Sequence, residues 1–133
     1  MKYLLDVNAL LALLLMEHVF HGRTQAWTKS LPKTPRPVLL TCPLTELGFI
    51  RIASQPSAFG FSIAGSRSLL AQAKSGAGGL RFIEDGLSGI DLPAWVAKSA
   101  HVTDGYLSEL AKAKGAVLAT LDAGIPRALL IPA

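Results

Sequence analysis

Cysteine is almost missing from this chain, and the single one, Cys42, cannot close an internal disulfide. The fold must therefore hold by packing alone, which fits a reducing compartment. Charge is also scarce, with 17% charged residues against 50% hydrophobic ones, a balance that excludes intrinsic disorder. No uncharged stretch approaches the ~20 residues that a membrane helix needs. Lys2 and the apolar run over residues 9–16 have the outline of a secretory signal. Asp6 and Asn8 interrupt it, however, and Glu17-His18 follow it without a small-x-small cleavage pattern. Internal repeats, heptads and linkers are absent too. The expectation is one soluble cytoplasmic domain spanning residues 1–133, large enough to bury a real core.

What the chain does have is a modest basic surplus, 13 Lys and Arg against nine Asp and Glu. That favours a polyanionic partner such as nucleic acid. Short apolar runs at 3–5, 38–40, 80–83, 117–119 and 128–131 read as buried parallel strands. Helical patterns lie between them. Residues 9–17 form one, with Asn8 placed to cap it, and 21–29 a short second. Pro43 suits the first position of a helix running to about residue 54. Residues 66–74 and 103–114 complete the set, the last closed by Gly115. Strands alternating with helices predict an α/β fold with a parallel sheet covered on both faces. Residues 54–66 are rich in Gly, Ser and Pro, carry Phe59 and Phe61, and read as a loop.

Nine acids in so apolar a chain can be weighed one by one. Asp6 directly follows the first strand, and Asp122 follows the 117–119 run by three residues. Both fall at the carboxyl ends of parallel strands, the edge where open α/β sheets bind ligands. Glu46 shares a helix face with Pro43, Phe49, Ile50 and Ala53, and a carboxylate within such a stripe needs a cation or a metal as partner. Asp104 lies in the first turn of its helix, beside the Leu107–Ala111 face. Taken singly, three of the four have plain structural readings: Asp6 as an Asx turn, Asp122 as the opening of the Asp-Ala-Gly turn, Asp104 as a first-turn acid. Taken together they describe a carboxylate cluster without matching lysines. Hard divalent ions choose such oxygen donors, and they can orient a water and stabilise an in-line attack on a phosphodiester.

These residues carry a family resemblance that runs the length of the chain. Leu4-Leu5-Asp6-Val7-Asn8-Ala9-Leu10 is similar to the opening strand of PIN domains, Thr45-Glu46-Leu47 to their helix-borne glutamate motif, and Val102-Thr103-Asp104-Gly105-Tyr106-Leu107 to their third acidic motif. Ala119-Thr120-Leu121-Asp122 matches the closing Thr-x-Asp pattern. The chain resembles the VapC-type toxins of toxin–antitoxin pairs. The resemblance implies a three-layer α/β/α sandwich with a central, mostly parallel sheet of four to five strands. It implies a Mg²⁺- or Mn²⁺-dependent endoribonuclease, dimeric and neutralised by a cognate antitoxin. Asp6, Glu46, Asp104 and Asp122 would then form the catalytic metal site, with Asn8 and Thr120 orienting acids or water. Gly105 stands where alanine is familiar.

Arg51 and Arg67 are candidate RNA contacts. His101 reads as a surface helix-entry residue or a packing group, and Trp27 and Trp95 as core or interface residues. Two other functions compete with the ribonuclease reading. One is an aspartyl phosphotransferase with Asp6 as nucleophile, which needs a lysine near the aspartate; Lys98 and Lys112 have no such context. The other is a PIN-like domain that binds RNA or protein without cutting.

Overall fold

Leu4 and Leu5 are adjacent, both fully buried, and belong to two different cores, because successive strand residues face opposite sides of a sheet. Leu118 and Ala119 divide in the same way. The computed structural model describes residues 1–133 and accounts for this with a sheet covered on both faces. Five strands, β1 (Lys2–Leu5), β2 (Val38–Thr41), β3 (Arg81–Phe82), β4 (Val117–Thr120) and β5 (Leu129–Leu130), pair in the order β3-β2-β1-β4-β5. Every pairing is parallel. The helices are α1 (Val7–Leu14), α2 (His21–Ser30), α3 (Pro43–Ala53), α4 (Ile63–Lys74) and α5 (Val102–Ala113). The architecture is the α/β/α sandwich expected from the sequence.

The two cores are unequal. On one face Leu10, Trp27, Phe49 and Leu70 from α1 to α4 close over Leu5 and Ala119. On the other, α5 alone brings Leu107, Leu110 and Ala111 onto Leu4, Leu40 and Leu118. Helix starts follow local chemistry. Pro43 opens α3, where Thr45 bonds back to the Cys42 backbone N–H at 3.0 Å. Ser62 caps α4 by accepting from the Gly65 N–H at 2.9 Å, so α4 begins earlier than its apolar pattern suggests. Gly115, with φ +67°, ends α5. Three positions require glycine for space, Gly79 because a Cβ there would meet the Ser75 carbonyl oxygen at 2.6 Å. A Cβ on Gly48 would meet Val7 at 2.7 Å, and one on Gly105 would meet Val96 Cγ2 at 2.3 Å.

One expectation is corrected. Asn8 does not cap α1; Asp6 does, accepting from the Ala9 N–H at 2.7 Å. The strand runs straight into the helix, so the last extended residue is Asp6, and Asn8 already lies in the first turn. The same helix stops at Leu14, short of Glu17.

For function, the strand order matters most. The chain builds outward from β1 through β2 to β3, then returns to place β4 on the other side of β1. The order reverses between β1 and β4, and ligands of open α/β sheets bind in the crevice at the carboxyl ends of such strands.

Candidate active site

Asp6 ends β1 and Asp122 lies just past β4, so both stand at that crevice. α5 brings Asp104 to it from the side. The three aspartates line one cleft of about 400 Å³. A larger hollow of about 590 Å³ beside the second half of α5 holds a single carboxylate, Glu109. Chemistry rather than size singles out the smaller cleft.

The structural and functional readings of these acids turn out to be compatible. Asp6 is 5% exposed and caps α1, while Asp122 does open its turn, accepting from the Gly124 N–H through Oδ1 at 2.8 Å. Thr120 is fully buried and joins the two: its Oγ1 accepts from the Asp122 N–H at 3.0 Å, and its side chain hydrogen-bonds to Asp6. Burial is the main reason the Asp6 carboxyl is raised from 3.8 to about 6. The bonds from Thr120 and Ala9 oppose the rise, and the charges of Asp104 and Asp122 add to it. Asp104 is raised for the same reasons, burial first and Asp122 second, while His101 pulls it down. No basic residue lines the cleft except His18. His18 is itself lowered by burial and by His21.

Glu46 stands apart. Its carboxylate accepts from the Thr41 hydroxyl at the end of β2 and pairs with Lys74 at 2.8 Å. Lys74 in turn lies 4.8 Å from the Phe82 ring centre. The acid in the apolar stripe thus has a lysine as its cation, supplied by the last turn of α4. Sequence spacing could not reveal this, because the two helices meet only in the fold. Asn8 holds a histidine rather than an acid, with its Oδ1 2.8 Å from His18 Nε2. Arg51 and Arg67 are exposed. Arg51 borders a groove that shares Val7 and Thr103 with the acid cleft. His101 packs near Trp95, ring centres 6.0 Å apart, and Trp27 is core.

Reading the sequence missed His18 and Phe59 as cleft residues. The His-x-x-His spacing of residues 18–21, just after α1, was the available signal.

No family model matches the chain. Similarity to individual proteins is extensive. The chain is 39% identical over 128 residues to Ribonuclease VapC38 of Mycobacterium tuberculosis, covering 92% of this chain and 86% of that protein. It is 33% identical over 139 residues to Ribonuclease VapC29 of the same organism, covering 99% and 98%. Ribonuclease VapC44 is 35% identical over 133 residues, with 94% and 89% covered. Near-complete coverage in both directions, on a parallel α/β sandwich whose switch-point crevice gathers three aspartates, establishes that the chain belongs to the VapC family of PIN-domain ribonucleases.

Proposed function

We propose that the protein is a Mg²⁺- or Mn²⁺-dependent endoribonuclease that hydrolyses RNA phosphodiester bonds. In this reading it is the toxin of a toxin–antitoxin pair, restrained by a cognate antitoxin and working as a cytoplasmic homodimer. The single observation that carries the metal-dependent part is Asp6: a buried carboxylate with no cation beside it and two further aspartates on the same cleft. Such a group is costly unless a positive charge arrives from outside the chain.

The donor set suits a hard ion. Asp6, Asp104 and Asp122 would hold it, and Glu46, already paired with Lys74, is the least committed of the four. The carboxylates do not by themselves close into a cage of three or more protein ligands. Mg²⁺ commonly binds through one or two carboxylates, keeping several waters and meeting substrate phosphates. When bound, a divalent ion supplies a more acidic water and stabilises charge on the phosphodiester.

The chain's own part is positional. Thr120 couples Asp6 to Asp122 through one hydroxyl. The Ala9 N–H fixes the Asp6 rotamer. Arg51, which lines the adjoining groove, would meet a phosphate flanking the cut, and Arg67 on α4 is a further candidate. The phosphotransferase alternative loses support, because no lysine lines the cleft.

The test is cleavage of total cellular RNA with Mg²⁺, Mn²⁺ or EDTA, comparing wild type with Asp6→Asn and Asp122→Asn. Cleavage should need the metal and should disappear in both variants. Activity that survives both substitutions would overturn the site.

A further inference from the structure

The acid cleft has further lining residues that the metal reading leaves unused. Beyond the carboxylates its walls are Leu11, Ile52 and Phe59, with His18 and Asn8 beside them. The His18 ring lies almost parallel to Phe59, 12° between planes and 6.0 Å between centres. Both of its nitrogens are engaged. The Phe20 backbone N–H donates to Nδ1 at 3.0 Å, and Nε2 lies 2.8 Å from Asn8 Oδ1. A backbone N–H can only donate, so Nδ1 is the acceptor and the proton sits on Nε2. His18 therefore donates to the Asn8 oxygen and occupies it. The Asn8 amide NH₂ has no protein acceptor and remains exposed as a donor-only group.

One cleft thus holds both an acidic set, suited to a metal and a phosphate, and an apolar aromatic set with a fixed donor. That combination matches a single nucleotide. Unstacked bases of single-stranded RNA are held on aromatic and apolar side chains and read along their edges. A free asparagine pairs with adenine by giving one hydrogen bond and accepting another. An asparagine whose oxygen is occupied can only give. Guanine presents two neighbouring acceptors, O6 and N7, where adenine presents an acceptor beside a donor.

We propose that the part of the cleft lined by Leu11, Ile52 and Phe59 is a nucleobase subsite adjoining the scissile phosphate, and that Asn8, fixed by His18, selects guanine over adenine there. The inference rests on the ribonuclease reading and adds to it a substrate preference with named residues.

The test is digestion of a random-sequence single-stranded RNA pool with Mn²⁺, followed by sequencing of the new ends. Wild type should show guanine favoured over adenine by about tenfold at one position flanking the cut, in line with one well-placed base contact. His18→Phe keeps a ring beside Phe59 but frees the Asn8 oxygen, and should bring that ratio close to one. Asn8→Ala, at an exposed position that leaves the core intact, should do the same and carries the test if the histidine variant misfolds. Phe59→Leu should raise KM for all sequences more than it lowers kcat. Wild-type cleavage without base preference, or a preference unchanged in both His18→Phe and Asn8→Ala, overturns the subsite while leaving the nuclease. Folded wild type that cuts nothing in the pool overturns the ribonuclease reading, and the subsite with it.

Discussion

Two carboxylates stand at neighbouring strand ends and are treated in opposite ways. Glu46, beyond β2, has a lysine at 2.8 Å and a threonine hydroxyl. Asp6, at the end of β1, is more deeply buried, has no cation and faces two more acids. The β2 end is electrostatically closed, whereas the β1–β4 crevice holds its aspartates with no lysine or arginine among the lining residues. An ion pair of this kind stabilises little once desolvation is counted, but it fixes α3 to α4. An unpaired buried acid reduces stability and gains affinity for a cation. The contrast separates two acids that the family resemblance puts in one site.

The largest effect that would break the comparison is on metal binding. At a metal concentration about 100 times Kd, an ion bound only by the folded state adds about 2.7 kcal/mol, or roughly 10 °C in melting temperature for a domain of this size. Asp6→Asn and Asp122→Asn should abolish that rise in differential scanning calorimetry. Glu46→Gln should keep most of it from a lower starting temperature. An equal loss in Glu46→Gln would place the two acids in one site.

The second prediction uses pH. The Asp6 carboxyl is raised from 3.8 to about 6 by folding, so its protonated form favours the folded state. The benefit is complete below 3.8 and is lost as pH climbs through about 6. The whole shift is worth about 3 kcal/mol. In EDTA, Asp6→Asn should match wild type near pH 4 and exceed its urea stability by up to about 3 kcal/mol near pH 7.

A third, smaller effect isolates Asp104. The Gly105→Ala methyl would sit 2.3 Å from Val96 Cγ2, an overlap that should lower stability by about 1–3 kcal/mol. It should also shift Asp104 and weaken metal binding. Adding Val96→Ala should restore both, which a general loss of helix propensity would not permit. The smallest effect belongs to the closed end. Lys74→Met leaves Glu46 without its cation, and partial exposure limits the cost to about 1 kcal/mol. Chemical denaturation should find that loss reduced when Glu46→Gln is added.

The same contrast explains what was legible in the chain. Strand-end placement of Asp6 and Asp122 could be read directly, because short apolar runs mark buried strands and the acids follow them closely. All five strands and five helices were anticipated, with boundaries displaced where a cap outranked the apolar pattern, as at Asp6 and Ser62. The Glu46 misfit was visible, but its resolution was not. Lys74 lies on another helix, and no local period connects them. The same holds for His18 and Phe59, which meet at the cleft from separate loops. Gly105 looked like a cost in helix propensity, yet its reason is the neighbouring Val96, which only packing reveals.

Both ends of the α1–α2 connection are anchored. Leu15 closes α1 by its N–H to Leu11 O, and His21 Nδ1 lies 2.8 Å from Ala12 O. Arg23 Nε then bonds Ile131 O at 2.9 Å, pinning α2 to the chain's last strand region. The stretch between these anchors is held at its ends and, through His18, to Asn8 and Phe59. Its residues can be exchanged without moving the aspartates, which rest on the sheet and α5. On the proposed reading, exchanging residues in this loop would change base preference and leave the metal-holding acids where they are.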